Sequence, residues 1–147
     1  MKIRTHSPIE TQEIARKIAI VSYNGLTLLL SGDLGAGKTT FTQGLALGLH
    51  IHSAVTSPTF TIMKNYHGDL NLNHIDAYRL EGLLQDLGFE ELIGQDGVSV
   101  IEWPDFIQDL WPHNYIKIDF KYIDEGTREL VLSAQGDKEL SIISRLL

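Results

Sequence analysis

Cysteine is absent from the 147 residues, which excludes disulfides and thiolate metal sites and fits a reducing cytoplasm. No apolar run approaches the ~20 residues that a membrane-spanning helix needs. The opening Met1-Lys2-Ile3-Arg4-Thr5-His6-Ser7-Pro8 has no apolar core of the kind a secretory signal carries. Linkers, internal repeats and low-complexity stretches are missing as well. Basic residues are outnumbered, 12 to 19, giving a net charge of −7. They are also scattered, whereas a protein that grips nucleic acid by itself shows a basic stripe. No strong direct nucleic-acid binding is expected, and any link to nucleic acid should run through a partner. The six histidines show no metal-ligand spacing apart from His50 and His52, which read as solvated. What is left is a chain of ordinary globular composition and single-domain length, 43% hydrophobic and 21% charged, long enough to bury a real core.

Within it stands one complete chemical motif, Gly32-Asp33-Leu34-Gly35-Ala36-Gly37-Lys38-Thr39. It matches the phosphate-binding pattern G-x-x-x-x-G-K-[ST] and sits in the context that the pattern requires. Leu26–Leu30 before it reads as a strand. Thr40 to Leu49 after it reads as a helix with Phe41, Leu45, Ala46 and Leu49 on one face. The glycines allow successive backbone N–H groups to point inward, and the helix start adds its positive dipole end. Gly35, Ala36, Gly37, Lys38, Thr39 and Thr40 are therefore the expected phosphate cradle. Lys38 is expected to reach the β- and γ-phosphates, and the Thr39 hydroxyl to complete the shell of a Mg²⁺.

The rest of the chain reads as strands flanked by helices. Ser7-Pro8-Ile9-Glu10 carries a capping box with proline at the first helical position. Ile9, Ile14, Ala15, Ile18, Ala19 and Val21 form the apolar face of that helix, which ends by Asn24-Gly25. Thr59–Tyr66 and Leu72–Tyr78 read as a hairpin about His67-Gly68-Asp69. Leu80–Ile93 holds a weak helical pattern broken by Gly82 and Gly88, and Val98–Ile101 is a buried strand ending on Glu102. Phe106, Ile107 and Leu110 suggest a short helix. Tyr115–Phe120 and Thr127–Ala134 alternate as strands about Asp124-Glu125-Gly126, and Lys138–Leu147 is helical. The expected fold is a single α/β domain over 1–147, a P-loop NTPase with a mixed sheet sandwiched between helices.

Acids at strand ends are the candidate partners for the metal. Glu102 closes Val98-Ser99-Val100-Ile101 in the shape of a Walker-B strand with Glu in place of Asp, and Asp76 follows His74-Ile75. One would hold Mg²⁺, the other would orient the attacking water and take its proton, and the spacing does not divide the two jobs. Asp119, inside an alternating strand, reads as a solvated side chain. Ser57-Pro58-Thr59-Phe60-Thr61 follows the loop helix as a switch segment does, and it reads equally as a turn into a strand. Arg79 and Arg128 are the candidate stabilisers of charge on a transferred phosphoryl group. Asn73-His74-Ile75-Asp76 lacks the lysine of a guanine-reading Asn-Lys-x-Asp, so ATP is favoured over GTP.

Taken together, the phosphate loop, Ser57–Thr61, His74-Ile75-Asp76-Ala77-Tyr78-Arg79-Leu80 and Val100-Ile101-Glu102-Trp103 resemble, in order and spacing, the TsaE (YjeE) family. These are small bacterial ATPases of tRNA threonylcarbamoyladenosine synthesis. Ala77 departs from the family pattern, which has an Asp or a large apolar residue there. The resemblance implies a P-loop α/β sandwich and a Mg²⁺-dependent ATPase. The implied partner is a TsaB–TsaD pair, in which TsaD transfers the threonylcarbamoyl group to the adenosine beside the anticodon. It also implies that Lys38 holds phosphates, that Thr39 and Glu102 coordinate Mg²⁺, that Asp76 is the second acid, that Thr11 approaches the adenine end and that Trp103 lies near the site. Two other classes share the loop chemistry. A small-molecule kinase would need an arginine-bearing lid, and five scattered arginines do not supply one. A nucleotide-dependent interaction module would need no catalytic acids, and Glu102 and Asp76 argue for turnover.

Overall fold

A computed structural model describes residues 1–33, 35–58, 62–78 and 89–146. The sequence expectations for Leu34, for Thr59-Phe60-Thr61 of the switch segment, for Arg79 and for the Leu80–Gly88 part of the weak helix lie outside the described residues. Among those described, seven strands form one sheet in the order β1-β7-β6-β2-β5-β4-β3. They are β1 (Lys2–Thr5), β2 (Thr27–Gly32), β3 (Met63–Tyr66), β4 (Leu72–Asp76), β5 (Val98–Glu102), β6 (Tyr115–Asp124) and β7 (Thr127–Gln135). The helices are α1 (Pro8–Ile20), α2 (Lys38–Gly48), the single turn α3 (Phe89–Leu92) and α4 (Asp137–Ser144), with a 3-10 segment at Pro104–Leu110. The four inner strands β6, β2, β5 and β4 are parallel, and an antiparallel hairpin partner closes each flank. This is the mixed α/β sheet expected from the sequence.

Strand parity sorts the core. Leu28, Leu30, Val98 and Val100 point to the face covered by α1, α2 and α4, where Ile18, Phe41, Leu45 and Ile143 pack. Leu29, Ile75 and Ile101 point the other way, onto Phe89, Ile93 and Ile107. Both faces of β2 and β5 are covered, which is why Leu26–Leu30 and Val98–Ile101 read as short buried runs, whereas β6 keeps one half-exposed face and alternates. α1 and α2 lie close together because the second presents glycine to the first. A Cβ at Gly44 would come within 2.5 Å of the Gln12 backbone.

The start of α1 differs in detail from the sequence reading. Ser7 Oγ accepts the Glu10 N–H at 3.1 Å as a cap should. The Glu10 carboxylate, however, accepts from the His6 N–H at 3.0 Å, one residue before the cap. Ile9 and Val21 are exposed, and Thr11 takes a place in the buried face with Ile14, Ala15, Ile18 and Ala19. Ser7→Ala is expected to cost about 1 kcal/mol. A thermal melt should register this as a fall of about 3 °C, and an unchanged melt would mean the cap contributes nothing.

At the far flank, the tight turn between β6 and β7 is held by Asp124, which accepts the Gly126 N–H at 3.1 Å. The Thr127 side chain and that N–H keep the Asp124 carboxyl below the usual carboxylate range. The turn matters because it brings Glu125, Gly126 and Arg128 over the phosphate loop. β1 was not anticipated from the sequence; it pairs antiparallel with β7 through Ile3 opposite Leu130.

Candidate active site

The parallel strands β2 and β5 both run towards one edge of the sheet, so the loop after β2 and the acid ending β5 meet there. Ligands of open α/β sheets bind at this carboxyl edge. Gly32, Gly35 and Gly37 all have positive φ. At Gly37, φ of 110° starts α2 from a left-handed conformation that a side chain would resist. No side chain caps the helix start, so the donors of its first turn face the cleft without an acceptor from the cap residue.

Lys38 begins α2 and is 4% exposed. Its ammonium donates to the Gly32 carbonyl at 2.7 Å, lies 3.9 Å from Glu102 Oε1 and sits 4.3 Å from the centre of the Trp103 ring. Burial pushes the Lys38 ammonium below its ordinary pKa, and the negative charges of Glu102, Asp76 and Asp33 offset part of that. A cation desolvated in this way is short of negative charge, the condition that a polyanionic ligand relieves.

Strand register also places the acids. Asp76 of β4 lies opposite Glu102 of β5, so both carboxylates project from the same face. Two adjacent like charges repel. The Lys38 ammonium beside Glu102 and a hydrogen bond from the Tyr78 N–H to Asp76 Oδ1 at 3.0 Å moderate the clash. Behind them, His74 Nε2 meets Glu102 Oε2 at 2.6 Å inside the protein.

Trp103 follows Glu102 in a left-handed conformation, φ 55° and ψ 51°, which for a bulky residue stores about 1–3 kcal/mol. The distortion turns its ring over Lys38 and against Tyr78, at a centroid distance of 5.3 Å.

Lys38, Glu102 and Trp103 line a cleft of about 180 Å³, and Asp76 and His74 are not among its lining residues. Of the residues expected from the sequence, Thr11, Gly35, Gly37, Lys38, Thr39, Thr40 and Glu102 line it together, with Ser57 and Trp103. Asp76 stands beside Glu102 on the neighbouring strand. Ala36 is placed differently: its side chain enters the core and its N–H is engaged by the Asp33 carbonyl at 3.1 Å. Thr11 shares a hydrogen bond of 2.7 Å with Thr5, which ties α1 to β1 at the cleft wall. Asp119 is half-exposed. Arg128 donates to the carbonyls of Asp124, Thr127 and Gly35 at 2.8, 3.0 and 3.2 Å, so it binds the hairpin to the phosphate loop. Sequence reasoning passed over Ser7, Pro8 and the hairpin residues Glu125 and Gly126, which complete the rim. It also passed over His74, whose signal was its place two residues before Asp76 on one strand face.

A family model described as "Threonylcarbamoyl adenosine biosynthesis protein TsaE" matches residues 5–130. The chain belongs to the TsaE family. Among its relatives is the tRNA threonylcarbamoyladenosine biosynthesis protein TsaE of Bacillus subtilis, 44% identical over 94% of this chain and 88% of the relative. The protein of the same name from Treponema pallidum is 37% identical over 90% of this chain and 100% of that one. The crystal structure of Bacillus subtilis YdiB superposes with a TM-score of 0.85 at 38% identity, covering 99% of this chain and 93% of the other. The P-loop α/β fold and the TsaE resemblance read from the sequence both stand.

Proposed function

We propose that this protein is a Mg²⁺-dependent ATPase that acts in the cytoplasm with a TsaB–TsaD pair in forming threonylcarbamoyladenosine on tRNA. The observation that carries the reading is the desolvated Lys38 ammonium at an uncapped helix start, with Glu102 Oε1 3.9 Å away. Family membership supplies the pathway.

The residues fit the two groups the reading requires. Inward-facing donors of the loop and of the α2 start, with Lys38, suit a triphosphate. Among the described residues no cluster of three or more His, Asp or Glu side chains could hold a metal. That suits Mg²⁺, which is bound by one or two carboxylates together with substrate phosphates and water. Thr39 and Glu102 would hold it, and when bound it would neutralise charge on the phosphates and orient them for in-line attack. Lys38 draws negative charge towards the β- and γ-oxygens. Asp76 receives a proton from the attacking water as its oxygen bonds to the γ-phosphorus and the bond from that phosphorus to the β-bridging oxygen breaks. Trp103, its ring 4.3 Å from the Lys38 ammonium, would cover the reacting end, and Thr11 on the cleft wall would lie towards the adenine. Arg128 already serves three carbonyls, so a transition-state arginine would come from the partner, and turnover of the free protein should be slow.

The experiment is Mg²⁺-dependent ATP hydrolysis by the purified protein, with and without TsaB–TsaD. A rise on adding the pair is the expected result. Hydrolysis unaffected by the pair would remove the pathway assignment and leave the nucleotide site. GTP turned over as well as ATP would overturn the base preference.

A further inference from the structure

The carboxylate of Glu102 does not stand alone. Its Oε2 is bonded to His74 Nε2 at 2.6 Å, and its Oε1 is the oxygen turned to Lys38. His74 is wholly buried in the middle of β4. Pairing of β4 with β5 sets His74 opposite Val100 and Asp76 opposite Glu102. His74 and Glu102 therefore lie on one face as diagonal neighbours, within reach of a long side chain. An imidazole at a fully enclosed strand position needs a partner to be tolerated. It has one on Nε2, while Nδ1 has no hydrogen-bond partner among the described residues. A Glu102 that holds a metal does so as a carboxylate, which can only accept, so in that role the His74 Nε2 is the donor.

We propose that His74 is a positioning residue for the ATPase chemistry: it fixes the Glu102 carboxylate so that Oε1 is presented to the cleft. The inference rests on the ATPase reading above. A glutamate has three rotatable bonds, and without His74 its carboxylate would be free to swing between Lys38 and the cleft. Partners that hold a ligating carboxylate are worth about 10–100-fold in metal affinity or activity.

Two measurements test this. His74→Leu removes the donor at similar volume, and His74→Gln keeps an N–H within reach of Oε2. Binding of a fluorescent N-methylanthraniloyl-ATP is titrated with and without Mg²⁺. In His74→Leu the Mg²⁺ concentration that gives half-maximal enhancement should rise by roughly 10–100-fold, while the Mg²⁺-free affinity holds. His74→Gln should recover most of the loss, and in a Glu102→Ala background His74→Leu should add nothing. Equal loss with and without Mg²⁺, no recovery in His74→Gln, or a full effect in the Glu102→Ala background would each overturn the proposal and leave His74 a packing residue. The second measurement needs neither nucleotide nor a variant. Long-range ¹⁵N–¹H correlation spectra of the free protein should find His74 as the Nε2–H tautomer, and an Nδ1–H tautomer would sink the idea. Failure of the wild type to bind nucleotide would instead strike the ATPase reading, with the tautomer still reporting on the pair.

Discussion

Glu102→Gln is expected to bind ATP and hydrolyse it roughly 10²–10⁴-fold more slowly. The substitution keeps the shape of the side chain and its acceptor towards His74 Nε2, so the packing at the end of β5 should survive. What it removes is one negative charge at 8% side-chain exposure, 3.9 Å from the Lys38 ammonium. In so enclosed a place, a charge interacts more strongly than it would in water. Losing it weakens the hold on Mg²⁺ and leaves Lys38 with one carboxylate fewer. Binding of ATP without Mg²⁺ should be unchanged or tighter, because repulsion between Glu102 and the triphosphate has gone. The two effects separate in a nucleotide-binding titration run beside a phosphate-release assay. Equal loss of binding and turnover would mean that Glu102 acts as a structural acid, with the metal held elsewhere. Asp76→Asn offers the comparison: if Asp76 takes the proton, turnover falls while the Mg²⁺ dependence of binding stays.

How much of this could be read from the chain follows the range of the interactions involved. The phosphate loop is local: eight consecutive residues between a strand and a helix, all specified by neighbours in sequence. Glu102 was legible for the same reason, as an acid closing a short apolar strand. β1 escaped because Lys2-Ile3-Arg4-Thr5 is only four residues long and its partner, β7, lies more than a hundred residues away. Its alternation, with Ile3 and Thr5 buried between exposed Lys2 and Arg4, gains meaning only beside that partner. On α1, Ile9 was assigned to the apolar face and Thr11 to the nucleotide. The structure exposes Ile9; Thr11 is buried and lines the cleft, bonded to Thr5 of β1, a partner that the helical spacing of α1 does not reveal. His74 shows the limit most clearly. Its step of two before Asp76 is visible in the sequence, but its bond to Glu102 depends on the register of β4 against β5, which no local pattern encodes.

The same distinction between local motif and distant support governs what should happen when the phosphate loop loses its floor. Phe41→Ala is expected to destabilise the protein by about 3–5 kcal/mol. Phe41 lies three residues after Lys38 on α2 and is fully buried. It meets Phe120 of β6 edge to face, with ring centres 5.5 Å apart and planes at 76°, a contact that adds about 0.5–1.5 kcal/mol to the burial of the ring. Phe120 in turn lies under the loop: a Cβ on Gly32 would fall 2.6 Å from its carbonyl, and one on Gly37 would fall 3.7 Å from its ring. The pair is thus the floor on which the phosphate cradle rests, and truncating Phe41 opens a cavity directly below it. Against a total stability of about 5–15 kcal/mol, the loss should appear as a large fall in the urea midpoint with an unchanged slope. Phe41→Leu refills most of the space and should cost well under half as much. In the folded fraction of Phe41→Ala, nucleotide affinity should also fall, because the loop glycines and Lys38 depend on the seating of α2. A loss below about 1 kcal/mol would show that the loop is held by its own backbone and by Arg128, and that the aromatic pair beneath it is incidental.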